Sequence, residues 1–431
     1  MRKTQHPGSD RRTQGLLALF LFVATLLTAL LHWGGALDQF LRFRSDSLGY
    51  YQYLPGVFIT HDLYELPWSQ RLENGHTLNL FCIGVSILQL PFFCLGHLAA
   101  TLLGNDVDGY SAPYAVAQFV GASFYLSVAG LLLHGVLRRS FDGSIPWVAV
   151  LLMVGCSTLY YYTSYEAGMS HGYSFFLVSA LLYLTCSVVD DARPWHLLLL
   201  FPVLGSIVQT RPLNGVLVLV PLLWGTSNIS GFRERLGVLW KWPWATLVGC
   251  GVAIAMTLPQ LAYWHAITGR WVLFTYGVKE EGFDFSAPHL FDVLISHQNG
   301  WFIYSPFMGV VMLALLWTAW RGDAGARATL LVWAIAWYIY GSWWAWWLGG
   351  AYGYRGFIEY SALLVVPLAH LLGWIGGRGA VLRTGFAVVC VVFAFMNIRM
   401  SYIYHAPWDG PEWTWRSYFD KVQEAFFIFG P

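Results

Sequence analysis

Long apolar runs separated by short polar joints dominate the chain, and many approach the roughly 20 residues that a helix needs to cross a bilayer. Eleven segments qualify, near residues 15–32, 112–137, 145–162, 172–189, 195–210, 213–226, 244–262, 304–320, 328–342, 360–376 and 385–400. The pattern predicts an all-α polytopic membrane protein of about 11 transmembrane helices, a single integral membrane domain over 1–431. The first run follows Arg2, Lys3, Arg11 and Arg12 like the start of a signal peptide, but no small-residue cleavage site precedes Trp33. It reads as an uncleaved anchor.

One further run, Thr77 to Leu103, is apolar enough to span, and parity decides its placement. If it does not cross, Arg2, Lys3, Arg11, Arg12, Arg138, Arg139, Arg193, Arg233, Arg235, Lys241, Arg321, Arg327, Arg378 and Arg383 all share one side in short loops. These are most of the chain's 24 Lys+Arg, and the positive-inside rule makes that side cytoplasmic. The run is therefore expected along the outer membrane face or partly inserted, bent at Pro91. Residues 33–111 then form a first outer loop, 263–303 and 343–359 further outer loops, and 401–431 an outer C-terminal segment. Long connections of this kind carry function more often than short ones.

Composition narrows the class. With 57% hydrophobic and only 11% charged residues, the chain has too little charge for a soluble domain's surface and too much apolar mass for disorder. A net charge of +1 gives no field to hold nucleic acid, and none is expected as a partner. The six cysteines are scattered through apolar segments without CxxC spacing and read as buried small hydrophobes.

The candidate chemistry starts in the first outer loop. Arg42-Phe43-Arg44-Ser45-Asp46-Ser47-Leu48-Gly49-Tyr50-Tyr51-Gln52-Tyr53 sets one carboxylate among tyrosines just past a span, where it is costly unless paired or used. Asp46 could pair with Arg44 or cap a helix; the alternative is a working carboxylate flanked by Tyr50 and Tyr51. The pattern Asp-x-x-x-Tyr outside the first span, followed by Thr60-His61-Asp62-Leu63, resembles the GT-C superfamily of membrane glycosyltransferases, of the aminoarabinose-transferase and protein O-mannosyltransferase type. Asp46 matches the acid position, Thr77 to Leu103 the juxtamembrane helices, and Leu131 to Arg139 the span with a basic end.

The resemblance covers about the first half of the chain. It implies inverting transfer of a sugar from a polyprenyl-phosphate donor to a lipid, glycan or protein acceptor, in a bacterial inner membrane, with the active site periplasmic. It names no certain cofactor and leaves a divalent metal open, without assigned ligands. Where such enzymes often carry a second aspartate, this chain reads Tyr165-Glu166-Ala167-Gly168-Met169-Ser170-His171. Glu166 and His171 join Asp46 as catalytic candidates, or simply cap and pair at a helix start.

A departing phosphate needs cations in a low-dielectric site. Arg211, in a Thr-Arg-Pro turn between two short apolar runs, and Arg355, after the Trp343–Trp347 cluster in a glycine-rich loop with Tyr354, are the main candidates. Lys279 and Arg270 are weaker, and His297 sits among polar and aromatic residues that suit a sugar. A carrier or flippase of lipid-linked sugars is the rival reading, but the two related halves expected of many such carriers are not found.

Overall fold

The computed structural model describes residues 7–43, 45–405 and 407–427, with side chains from Arg12 onward. Arg2, Lys3, Arg44 and the Arg11 side chain therefore lie outside the described residues, and with them the flanking charges and the Arg44 pairing expected above. The apolar segments are mainly helical: α1 (Pro7–Trp33), α2 (Asp46–Tyr51), α3 (Gly84–Leu103), α4 (Ala112–Leu137), α5 (Ile145–Gly155), α6 (Leu159–Ser164), α7 (Ser170–Asp191) and α8 (Pro194–Thr210). A short 3-10 turn and helix over Pro212–Leu223 lead on to α9 (Pro243–Thr268), α10 (Pro306–Trp320), α11 (Ala324–Gly341), α12 (Ser361–Gly376), α13 (Ala380–Ile403) and α14 (Trp415–Phe426). Among the described residues, strand is confined to a hairpin pairing Gln70 and Arg71 with Leu78 and Thr77.

Among the described residues, six helices are long and apolar enough to cross a membrane: α1 from Arg12, α3, α4, α7, α9 and α13. Five further apolar stretches are of 10–17 residues, including α8, α10 and α12. The expected helical segments are present, but length alone supports fewer full spans than eleven.

Helix α7 is the most enclosed, packed against α4, α8 and α12. Thr25 of α1 donates to Ser123 of α4 at 3.0 Å, a polar tie of the kind that joins helices in an apolar setting. Leu247, Ile254 and Val391 stay exposed on α9 and α13, which gives those helices apolar outer faces.

Helix α3 runs antiparallel beside the N-terminal half of α4. Tyr125 donates to the Leu88 carbonyl at 2.7 Å, and near the other end His97 meets the Tyr114 hydroxyl at 2.6 Å. The helix continues through Pro91 and stands alongside α4 over that half only, instead of lying across it.

The expected span 145–162 is broken. Helix α5 ends at Gly155 and α6 begins at Leu159, so the Gly155 carbonyl loses its helical donor and that of Ser157 keeps only a 3.3 Å bond from the Tyr160 amide. Asn397 of α13 supplies replacements, its side-chain amide donating to the carbonyls of Gly155 at 3.0 Å and Ser157 at 2.9 Å. A broken helix survives in an apolar bundle only when such groups are satisfied by neighbouring protein. Asn397→Ala should therefore destabilise the fold by about 1–3 kcal/mol, the cost of the Gly155 acceptor left unpaired and the Ser157 acceptor left with a single 3.3 Å bond. Thermal unfolding in detergent reads this as a lower Tm; an unchanged Tm would show that the break is held by packing alone.

Candidate active site

Four separated parts of the chain deliver charged groups to one end of the bundle. The first is α2, whose N-cap is Ser45, its hydroxyl accepting from the Ser47 amide at 3.3 Å. Asp46 is thus the first helical residue and not the cap, which leaves its carboxylate free to point elsewhere. It forms an ion pair with Arg355, whose Nη1 lies 3.0 Å from Asp46 Oδ2. Both side chains keep some solvent access, at 32% and 17% exposure, so a ligand can reach the pair.

The second part is the turn between α6 and α7. Gly168 lies so close to α2 that a Cβ there would stand 2.8 Å from the Ser47 Cβ, and the approach lets Ser47 Oγ donate to Glu166 Oε2 at 3.3 Å. Burial pushes the Glu166 carboxyl up to about 7; Asp46 pushes the same way, while the Ser47 hydrogen bond and Arg355 oppose it.

The third part, the α8 hairpin, carries Arg211, and here the structure commits the side chain inward. Its Nε pairs with Glu359 Oε1 at 3.1 Å, Nη1 lies 3.3 Å from the Ser170 hydroxyl and within 3.2 Å of the His171 ring, and Nη2 donates to the Tyr340 hydroxyl at 3.1 Å. A guanidinium has five N–H donors, so few remain for a ligand. His171 in turn contacts Glu359 Oε2 at 3.3 Å, and Asn214 donates to Glu359 Oε1 at 2.9 Å. Burial alone would raise Glu359, but Arg211, His171 and Asn214 prevail and hold its carboxyl below the usual range. Glu359, fully buried, is the residue that sequence reasoning missed. Its signal was present: a carboxylate two positions before an apolar run is costly without a partner.

The fourth part is the loop from 343 to 359. Its backbone is pinned by three residues from other regions: Asp409 accepts from the Gly350 amide at 2.6 Å, Asn299 from Gly353 at 3.2 Å, and the Tyr162 hydroxyl from Tyr352 at 3.0 Å. Gly353 adopts a φ of +65° and sits where a Cβ would approach Thr158 and Tyr304 to 2.8 Å, so only glycine fits. These ties fix the point from which Arg355 reaches Asp46. Beyond Asp46, the Arg355 guanidinium has no protein hydrogen-bond partner among the described residues.

An aromatic wall closes the site. Tyr50 is buried with its ring 4.8 Å from Phe81, and Tyr276, which sequence reasoning also passed over, packs 5.6 Å from Trp343. Thr275 anchors that turn by donating to the Leu80 carbonyl at 2.7 Å. Burial, with Tyr50 and Asp46, holds the Tyr276 hydroxyl in its neutral form, and the Arg355 and Arg211 charges act on it in the opposite sense.

Other candidates are not brought to this point. Tyr51 faces the opposite side of α2, its hydroxyl donating to the Gly109 carbonyl and its ring packed near Phe93 and Tyr110, because neighbouring helical positions point apart. Lys279 and Arg270 are exposed to solvent, with no ion pair among the described residues. His297 packs its ring 5.4 Å from Trp415, under the C-terminal segment. Tyr354 is fully buried between Tyr340 and Phe357, and its hydroxyl has no hydrogen-bond partner among the described residues. No three His, Cys, Asp or Glu gather as metal ligands among the described residues, and Asp46 is already engaged by Arg355.

With this geometry in place, comparisons with known proteins can be set beside it. No family model matches the chain, and no curated protein matches it. Among solved structures, the fold is similar to the oligosaccharyltransferase AglB of Archaeoglobus fulgidus, in an apo form at 14% identity and in a complex with an inhibitory peptide and a dolichol-phosphate at 12%. Both have a TM-score of 0.46 and cover 96% of this chain but 56% of theirs. The chain spans about half the length of AglB.

Two outcomes follow from the charges. Glu359→Gln leaves the Arg211 guanidinium without its buried counter-charge and should cost about 3–5 kcal/mol; unfolding in detergent measures it, and a loss below the range of a surface pair would mean that Arg211 finds another anion. For Glu166, the folded pKa lies above the unfolded 4.5, so its contribution is fully present below about 4.5 and is lost as pH rises through about 7. Glu166→Gln mimics the protonated form. Its Tm relative to wild type should climb between pH 4.5 and 7 and then level off, whereas a gap independent of pH would place an ordinary carboxyl there.

Proposed function

We propose that this chain is a GT-C type glycosyltransferase that moves a sugar from a polyprenyl-phosphate-linked donor to an acceptor on the non-cytoplasmic face of the membrane, with inversion. The observation that carries the reading is the solvent-reachable Asp46–Arg355 pair at the end of an apolar bundle, where a carboxylate and an incompletely used guanidinium stand together. Displacement needs a base for the acceptor and a cation for the leaving group. Asp46 takes the proton of the acceptor hydroxyl, whose oxygen attacks the anomeric carbon from the face opposite the phosphate. The bond from that carbon to the phosphate oxygen breaks, and the leaving phosphate passes to Arg355, whose planar fork suits paired oxygens. Tyr50 and Tyr276 line the sugar's position.

Arg211 and His171 serve differently from their readings as phosphate cation and catalytic residue: bound to Glu359, they hold the floor of the site. Glu166, titrating near neutrality beside Asp46, orients the acceptor. The same reading places the N-terminus in the cytoplasm and α3 as a partly inserted helix of the outer half, with lipid, glycan or protein as the acceptor. The carrier reading is not favoured, because the charges collect at one end of the bundle instead of along a path through it.

Asp46→Asn keeps the side-chain shape and removes the base, so transfer from a purified polyprenyl-phosphate sugar should fall by about two or more powers of ten. Donor binding should survive that change. Arg355→Lys loses the two-donor fork and should weaken donor binding and slow turnover together. Near-wild-type transfer in both variants would move the chemistry away from this pair.

A further inference from the structure

The C-terminal helix α14 presents two apolar faces, and the bundle covers only one. Tyr418 and Ala425 are buried, with Tyr418 donating to the Ile303 carbonyl at 2.7 Å and Arg399 of α13 donating to the Ala425 carbonyl at 3.3 Å. Trp415, Phe419 and Phe426, spaced i, i+4 and i+11, form a second stripe beside the first and remain 42%, 60% and 44% exposed. Arg416, Asp420 and Glu424 take the remaining arc. A helix divided in this way has one side for protein, one for an apolar medium and one for water.

The position of α14 says what that medium is. Its last turn leans on the final turns of α13, with the Phe426 ring 5.9 Å from Phe395, and α13 shows Val388, Val391 and Val392 outward at 56%, 68% and 41% exposure along an apolar helix long enough to cross a membrane. The exposed stripe of α14 is thus continuous with a surface that faces acyl chains. Its aromatic content, mixed charge and modest length match helices that lie in the boundary between headgroups and hydrocarbon. We infer that α14 is seated in the bilayer interface, with Trp415, Phe419 and Phe426 in the lipid and Arg416, Asp420 and Glu424 toward water, so that its partner is the lipid surface and not another protein. This inference does not depend on the catalytic reading.

The test uses the full chain in vesicles of phosphatidylcholine and phosphatidylglycerol. Cys94 and Cys250, the cysteines that are not buried, are first replaced by serine, and one nitroxide is then attached through Phe419→Cys or Glu424→Cys. Oxygen concentrates in lipid and a charged nickel chelate stays in water, so the ratio of their relaxing effects reads depth. The ratio at position 419 should be several-fold higher than at 424. Equal ratios would put the stripe in water, and protection of 419 from both reagents would show a protein covering it; either result overturns the inference. Trp415→Cys reads the same stripe should the Phe419 variant fail to assemble.

Discussion

An isolated guanidinium cannot remain charged and buried in an apolar bundle, and neither can an isolated carboxylate. The contact between Arg211 and Glu359 is therefore the constraint on which the rest of the site depends. It ties the α8 hairpin to the start of α12, and through His171 and Asn214 it fixes the start of α7 and the 3-10 turn after Arg211. The apolar helices alone would be free to slide on one another. The buried pair, with Ser170, His171, Tyr340 and Asn214 as further polar neighbours, selects one register.

On that floor the second pair, Asp46 with Arg355, differs in kind. Each partner keeps part of its surface in water, and Arg355 has spare donors, whereas Arg211 has almost none. One arginine organises and the other is available, a division that exposure and hydrogen-bond geometry decide and residue type does not. The same distinction separates Glu166, held near its titration point by burial, from Glu359, held ionised by its neighbours.

The helical plan was legible because apolar runs of this length have few alternatives; Ala112–Leu137 emerges with the same bounds in the sequence and in the structure. The gap between Gly155 and Leu159 was not, since its stability comes from Asn397 more than two hundred positions away. Asp46, Arg355, Arg211, Glu166, His171 and Tyr50 were legible from their settings in otherwise uncharged stretches. Tyr51, Lys279 and His297 were chosen by type and neighbourhood, and helix phase, solvent and the C-terminal segment claim them instead. Glu359 is less legible than the arginine four positions earlier because it lacks that residue's glycine-rich setting, although the carboxylate lies closer to the apolar run.

The loop that carries Arg355 is held on one side by residues made before it, Tyr162 and Asn299, and on the other by Asp409, made after it. During synthesis the first two can dock at once, while Gly350 waits for more than fifty further residues before its amide finds its acceptor. The pairing with Asp46 is in this sense a late product of biogenesis, finished only after Asp409 has been made. A message truncated after α13 would yield most of the bundle and leave the arginine's loop without its final tie.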